Sequence, residues 1–189
     1  MKRLLLSLGF LLAVSTVIAQ TAPSAGGPPK APKSPAVKEV SSLGGQNITI
    51  AYSSPRVRGR EGKIFTKDGL IGHESHYPVW RAGANEATTL TTDANLKIGS
   101  LLVPKGTYTL FVDVSNPSEW VLIVSKKTGE WGLSYDSTAD LGRVPLKTTA
   151  PPALVEELKY TIDEQGDSKG TLTLAWENVT ASVAIEVAN

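Results

Sequence analysis

The sequence predicts an all-β fold, an antiparallel β-sandwich or jelly-roll-like barrel with short strands and little helix. Apolar and polar residues alternate in short runs, which is the period of a strand with one buried face. Gly, Pro, Asn and Asp separate these runs and favour turns. No long stretch repeats at the helical period of about 3.6 residues. Short strands without intervening helices are typical of antiparallel sandwiches and barrels.

The amino terminus has the features of a secretory signal peptide over residues 1–19. Lys2 and Arg3 precede an apolar run from Leu4 to Ile18, and the small residues ending at Ala19 fit a signal-peptidase site. The run is shorter than the roughly 20 apolar residues that a membrane-spanning helix needs. We therefore expect an exported protein with no membrane span after cleavage; an uncleaved anchor is the alternative.

A linker is predicted over residues 20–36. Residues 21–35 read TAPSAGGPPKAPKSP, a composition that buries too little apolar surface to offset the entropy of ordering. The chain has 189 residues, of which 41% are hydrophobic, and this suits one globular domain with terminal extensions. The folded β-sandwich domain is expected to span residues 37–189.

Composition indicates the compartment and excludes one class of partner. The chain contains no cysteine, and export without disulfides favours a bacterial periplasmic or secreted protein. Without Lys2 and Arg3, the 19 basic residues fall to 17 against 18 acidic ones, a net charge of −1. A near-neutral domain lacks the strongly basic face that binds nucleic acid, so no nucleic-acid partner is expected.

Period-two alternation predicts the individual strands. In chain order, their apolar faces carry Ile48, Ile50 and Tyr52; Tyr108, Leu110, Val112 and Val114; Trp120, Leu122 and Val124; Trp131, Leu133 and Tyr135; Leu158, Tyr160 and Ile162; Leu172, Leu174 and Trp176; and Val183, Ile185 and Val187. A further hairpin is expected around Gly99-Ser100. The strand TYTLFVDV should be central, and the last three strands should form a meander.

Three tryptophans occupy apolar positions of these predicted strands. Trp120, Trp131 and Trp176 are therefore expected in the hydrophobic core. If they were instead exposed in a row on one face, they would form a platform on which sugars stack.

The candidate site lies in two neighbouring segments. YPVWRAGANEATTL, residues 77–90, concentrates hydrogen-bonding side chains beside apolar ones, and SSPRVRGR, residues 53–60, is rich in arginine. The candidate ligand-binding residues are Arg56, Arg58, Arg60, His73, His76, Trp80, Arg81, Asn85 and Glu86.

The arginines of this site support two main interpretations. A buried guanidinium needs partners for its five donors, so the arginines, with Glu86 and Asn85, form a paired structural network in the first. In the second, some guanidiniums stay free to clamp a carboxylate, a phosphate or a sugar acid, with Trp80 as a stacking wall. A surface for a partner protein is a third possibility. A regular strand would place Trp80 and Arg81 on opposite faces, which argues against a shared pocket.

The two histidines suggest a different chemistry. His73 and His76 are three residues apart, and Glu74 or Glu86 would complete a two-histidine, one-carboxylate metal site. Two histidines without a third histidine or a cysteine make a structural zinc site improbable, so no metal or other cofactor is predicted. The sequence has no Gly-x-Ser-x-Gly nucleophile motif and no glycine-rich phosphate loop.

Several segments together resemble a family of exported bacterial proteins known as domain of unknown function 2911. They are SSPRVRGR, GLIGHESHYPVWRAGANEATTL, IGSLLVPKGTYTLFVDV, EWVLIVSKKTGEWG and GTLTLAWEN. The resemblance extends over the folded part of the chain, from about residue 37 to its end. VWRAGANEATTL together with SPRVRGR is the most specific part. The resemblance implies a bacterial envelope protein with an all-β domain, and it implies no reaction, substrate or catalytic residue.

The sequence thus favours a non-catalytic envelope module that binds a ligand or has a structural role, with a polar patch of Arg, Asn, Glu and Trp. Its expected partner is a small anionic or sugar-like ligand or an envelope protein. The alternative is a hydrolase-like or metal-dependent enzyme that uses His73, His76 and Glu86.

Overall fold

Twelve strands form one antiparallel sheet in the computed structural model, which describes residues 33–188. The strands are β1 (Ala36–Leu43), β2 (Gln46–Ser53), β3 (Val79–Trp80), β4 (Ala84–Thr92), β5 (Leu96–Ile98), β6 (Leu101–Val103), β7 (Gly106–Asp113), β8 (Glu119–Ser125), β9 (Asp140–Thr149), β10 (Val155–Glu164), β11 (Lys169–Glu177) and β12 (Val179–Val187). Two 3₁₀ turns, Ile71–His73 and Ser137–Ala139, complete the regular structure. The predicted signal peptide, and the predicted linker up to residue 32, lie outside the described residues.

The sheet nearly closes into a barrel. Its main path runs β1-β2-β4-β7-β8-β9-β12-β11-β10. The two ends meet where the chain leaving β2 pairs with the start of β10: the amide of Leu158 donates to the carbonyl of Pro55 at 3.0 Å, and the amide of Val57 donates to the carbonyl of Glu156 at 2.8 Å. Closure removes most of the exposed edge that an open sheet would present. The predicted all-β, barrel-like fold is confirmed.

Alternation along the strands correctly predicted most of the core. Tyr108, Leu110, Val112 and Val114 share one buried face of the β7 segment, and β7 lies between β4 and β8. The hairpin of β5 and β6 and the closing meander of β10, β11 and β12 also form as expected.

Aromatic side chains fill one part of the interior. Trp80 and Trp176 stack with their ring centroids 5.7 Å apart and an interplanar angle of 23°. Phe65 lies 4.6 Å from Trp120 and 5.5 Å from Trp176, centroid to centroid. The burial predicted for Trp120 and Trp176 is therefore confirmed, and Trp80 belongs to the same cluster.

The prediction of a strand with a buried face at residues 131–135 is wrong. Trp131 is 55% exposed and Leu133 is 40% exposed. The segment belongs to the loop between β8 and β9 and makes a single isolated bridge, between Trp131 and Glu86. Tyr135 is held outside the barrel, where its ring meets Phe111 at 4.9 Å. The short run happened to alternate, and nothing in its residues distinguishes a loop folded back on the sheet from a strand within it.

Besides β1, strand β9 is an element that the alternation did not predict. Its residues DLGRVPLKTT include Gly142 and Pro145, which are unfavourable inside strands. It nevertheless pairs with β8 along most of its length and with β12 at its end.

Both 3₁₀ turns are three residues long, so within residues 33–188 no helix has the length and hydrophobicity to cross a bilayer.

Candidate functional site

A cavity of about 410 Å³ opens where the segment after β2, the β3–β4 connection and the β8–β9 loop meet. Most of the candidate residues line it: Arg56, Arg58, Arg60, Trp80, Arg81 and Asn85. The structure adds Glu74, Trp131 and Trp176 to the lining, which the sequence interpretation had not placed there. His73, His76 and Glu86 are not among the residues that line it.

The β3–β4 connection holds its own shape through hydrogen bonds from side chains to its carbonyls. The carbonyl of Ala82 accepts from Thr88 Oγ1 at 2.9 Å and from Tyr160 Oη at 2.7 Å. Trp80 Nε1 donates to the carbonyl of Gly83 at 3.0 Å. These bonds fix a backbone that is unfavourable for side-chain-bearing residues, since Ala82 has a φ of 55°. Trp80 and Thr88 of residues 77–90 therefore stabilise the β3–β4 connection itself.

This irregular backbone also changes where two candidate residues point. β3 ends at Trp80, and the positive φ of Ala82 interrupts the alternation of side chains. Trp80 and Arg81 both line the cavity, although a regular strand would place them on opposite faces.

Arg81 makes three hydrogen bonds to groups of the protein. Its Nη2 lies 2.8 Å from Glu74 Oε1, its Nε lies 3.4 Å from Glu74 Oε2, and its Nη1 donates to the carbonyl of Asn85 at 2.9 Å. Side-chain exposure is 10% for Arg81 and 18% for Glu74. Burial raises the pKa of Glu74 above its usual value, and the hydrogen bond and charge of Arg81 oppose that shift. Glu74 therefore has the role that the sequence interpretation gave to Glu86, which is exposed.

Gly132 shows how tightly this pair is packed. A Cβ at Gly132 would lie 2.5 Å from Cδ of Arg81 and 2.6 Å from the carbonyl oxygen of Asn85. Only glycine leaves room for the Arg81 side chain at this point. The Trp131-Gly132 dipeptide is thus fixed directly against the β3–β4 connection.

The arginines of the segment after β2 differ from Arg81. Arg56 forms an ion pair with Glu157 in which the two side chains are 45% and 49% exposed. Arg60 donates through Nε to the carbonyl of Val57 at 3.0 Å and through Nη2 to the carbonyl of Arg56 at 2.6 Å. Arg58 has a left-handed φ of 51°, and its Nη2 donates to the carbonyl of Lys33 at 3.1 Å.

Arg58 and Arg60 have no carboxylate partner within residues 33–188. The first 32 residues contain no Asp or Glu. Both guanidiniums keep donors that backbone carbonyls do not use, because each has five N–H groups. The cavity therefore has two guanidiniums available to an anion.

Glu177 fixes the arginine-bearing segment to the barrel. It is buried, has a φ of 56°, and its Oε1 accepts the amide hydrogen of Gly62. Burial raises the pKa of Glu177, the hydrogen bond from Gly62 lowers it, and the charge of Glu61 raises it further. The anchoring role of Glu177 depends on a contact between distant parts of the chain, which no local sequence pattern predicts.

Replacing Glu177 with glutamine is expected to remove a pH-dependent cost to stability. A raised pKa means that the folded state holds the proton more tightly than the unfolded chain, so stability falls as pH rises above the ordinary value of 4.5 and through the raised one. Glutamine keeps an oxygen for the Gly62 amide and does not titrate.

The measurement is urea denaturation of wild type and Glu177→Gln at several pH values. The unfolding free energy of wild type minus that of the variant should decrease from pH 4.5 towards neutrality. A difference that stays constant or increases over this range would contradict the assigned burial.

The two histidines lie apart from the cavity. His73 ends a 3₁₀ turn and is exposed, as is His76, whose ring centroid lies 5.9 Å from that of Tyr135. Within the described part of the chain, no group of three His, Cys, Asp or Glu side chains has the arrangement to hold a metal ion.

Two tryptophans define the aromatic part of the cavity. Trp131 is half-exposed, whereas Trp176 is 1% exposed and stacks on Trp80. Trp176 Nε1 is buried without a hydrogen-bond partner among the described residues. Buried indole N–H groups normally find a partner, so this donor is an exception within the described residues.

Comparison with known proteins identifies the family. A family model described as a protein of unknown function, DUF2911, matches residues 34–185. No curated protein and no solved structure matches the chain. The matched range includes the whole cavity lining except Lys33, so the site is built from the part of the chain that defines the family. The chain belongs to the DUF2911 family.

Proposed function

We propose that this protein is a non-catalytic binding module of the bacterial envelope that holds a small anionic ligand in the cavity beside Arg58 and Arg60. The observation that carries the proposal is the absence of any carboxylate partner for these two guanidiniums within residues 33–188.

The balance of charge in the cavity supports an anion. Its charged lining comprises Lys33, Arg56, Arg58, Arg60 and Arg81 against Glu74. Arg81 is neutralised by Glu74, and Arg56 is neutralised by Glu157. Lys33, Arg58 and Arg60 are left in excess, and a concave site with one sign of charge attracts the opposite sign. Guanidiniums also bind carboxylate and phosphate through paired hydrogen bonds.

The chemistry of the lining favours binding over catalysis. Acid–base catalysis needs a titratable group that can reach the ligand. Glu74 is the one carboxylate that lines the cavity in the described chain, and both of its oxygens are bound to Arg81. The residues of the enzymatic alternative, His73, His76 and Glu86, lie outside the lining.

Location in the envelope is part of the proposal and rests on the amino-terminal sequence. Residues 1–19 have a basic start, an apolar stretch and small residues at their end, which is the pattern of a secretory signal peptide. The lack of cysteine fits a bacterial exported protein that folds without disulfides.

Calorimetric titration of the full chain with small anions tests this proposal. The panel is inorganic phosphate, benzoate and glucuronate, at low and moderate salt. At least one anion should bind, and Arg58→Ala/Arg60→Ala should weaken it by about tenfold or more, since each hydrogen bond to a charged group contributes about 1.5 to 3 kcal/mol. Added salt should weaken binding further.

The matched control is Arg143→Ala. Arg143 is a half-exposed arginine paired with Asp140 that does not line the cavity, so its loss should leave the affinity unchanged. Failure of every anion to bind, or equal weakening by the control and the double variant, would overturn the proposal.

A further inference from the structure

We infer that the ligand is an acidic monosaccharide of the hexuronate type, whose ring stacks on Trp131 while its carboxylate pairs with Arg58 and Arg60. This inference rests on the proposed function and specifies the chemical class of ligand.

Trp131 is the one exposed residue among the four tryptophans of the chain. It is 55% exposed, whereas Trp80, Trp120 and Trp176 are each 1% exposed. Leaving this much aromatic surface in water gains nothing for folding, and exposed aromatic surface at the rim of a cavity commonly marks a binding site. The C–H face of a sugar ring stacks on such a surface and shields it from water.

The backbone around Trp131 is held in place. It bridges to Glu86 in β4, and the amide of Ser134 donates to the carbonyl of Trp131 at 2.8 Å. Ser75 Oγ donates to the carbonyl of Leu133 at 3.3 Å, and Gly132 fits closely against Arg81. A ring on an anchored backbone is a preorganised surface, which reduces the entropy cost of binding.

Asn85 provides hydrogen-bonding capacity suited to hydroxyl groups. Its Nδ2 donates to Ser53 Oγ at 3.2 Å, which orients the amide. Within residues 33–188 no hydrogen bond reaches its Oδ1, and the side chain is exposed at the cavity. An acceptor in this position suits a ligand with O–H donors; a sugar provides several, hydrogen phosphate provides one and benzoate provides none.

Trp176 lies at the floor of the cavity, where it stacks on Trp80. The cavity of about 410 Å³ is within the size range of small-ligand sites and accommodates a monosaccharide.

The combination distinguishes a sugar acid from simpler ligands. Arg58 and Arg60 alone would suit any small anion, and Trp131 alone would suit any flat apolar ring. A hexuronate joins a carboxylate, a stackable carbon face and several hydroxyls in one molecule. It therefore uses the guanidiniums, the indole and the Asn85 amide together.

The test compares matched ligands on the full chain. Glucuronate and galacturonate are titrated beside glucuronamide, which has the ring but no charge, and beside phosphate and benzoate, which have charge but no sugar ring. At least one hexuronate should bind about tenfold or more tightly than glucuronamide, phosphate and benzoate.

Variants of Trp131 then separate the contribution of ring stacking to the affinity from the contribution of the ligand's charge. Trp131→Ala should weaken hexuronate binding by about tenfold, and Trp131→Phe should restore part of the affinity, while phosphate binding stays unchanged in both. Hexuronate should also protect wild-type fluorescence from acrylamide, because Trp131 is the accessible indole. Circular dichroism verifies that each variant is folded.

The outcomes distinguish the two proposals. If phosphate or benzoate binds through Arg58 and Arg60 as tightly as either hexuronate, or if Trp131→Ala leaves hexuronate affinity unchanged, the sugar inference is wrong and anion binding stands. If no anion in the panel binds, both proposals are wrong.

Discussion

Replacing Arg81 with alanine is expected to lower the free energy of unfolding by about 3 to 5 kcal/mol, the range found when one member of a buried ion pair is removed. The variant would leave the Glu74 carboxylate largely buried without its counter-charge, since only 18% of its side chain is exposed. It would also remove the donor that holds the carbonyl of Asn85. Urea denaturation of wild type and Arg81→Ala measures the difference.

Arg56→Ala is the matched control for Arg81. It removes an ion pair from the same cavity, but the side chains of Arg56 and Glu157 are 45% and 49% exposed. Water replaces such a partner at little cost, so the control should lose about 1 kcal/mol or less. Equal losses in the two variants would contradict the structural role of Arg81.

Replacing Trp80 with alanine is expected to cost about 3 to 5 kcal/mol, which is typical of removing a buried aromatic side chain. Trp80 is 1% exposed, stacks on Trp176 and donates to the carbonyl of Gly83. Its loss would leave both a void in the aromatic cluster and an unpaired carbonyl in the β3–β4 connection. Thermal or urea unfolding measures this effect.

Trp131→Ala provides the comparison, because it removes the same side chain from a position that is 55% exposed. Its stability should change by about 1 kcal/mol, as for an ordinary substitution. A loss from Trp131→Ala as large as that from Trp80→Ala would show that Trp131 stabilises the fold, and would remove the argument that it serves a ligand.

Trp80 and Trp131 show why residue type and local pattern could not distinguish a tryptophan of the core from one that is available to a ligand. Sequence reasoning made Trp80 the ligand-stacking wall and placed Trp131 in the core, and their burial is the reverse. Trp80 begins a connection whose left-handed residue, Ala82, is not signalled by its side chain. Trp131 follows a turn and alternates with Leu133 by coincidence.

The fold was more predictable because alternation is a local signal. Tyr108, Leu110, Val112 and Val114 share a buried face because a strand places alternate residues on one side. By contrast, the cavity depends on contacts between distant segments. The pairing of Pro55 with Leu158 brings the arginines to the barrel end, and no local pattern encodes that contact.

The arginines illustrate the same limit within one motif. Sequence reasoning offered a structural network and a ligand clamp as alternatives, and the geometry divides the residues between them. The guanidinium of Arg81 pairs with the Glu74 carboxylate and the carbonyl of Asn85, whereas the guanidiniums of Arg58 and Arg60 contact only backbone carbonyls among the described residues. Which carboxylate pairs with which guanidinium depends on the fold, so Glu74 could not be chosen over Glu86 in advance.

The central claim is that Arg58 and Arg60 are held for a ligand and contribute little to the fold. Unfolding of the ligand-free Arg58→Ala/Arg60→Ala variant tests it most directly. Two of their three side-chain hydrogen bonds, to the carbonyls of Lys33 and Arg56, are exposed, and the third, to the carbonyl of Val57, is partly buried. The unfolding free energy should therefore fall by about 1 kcal/mol or less. A loss of about 3 kcal/mol or more, similar to that expected for Arg81→Ala, would mean that these arginines stabilise the barrel end and that the cavity is not a site kept open for an anion.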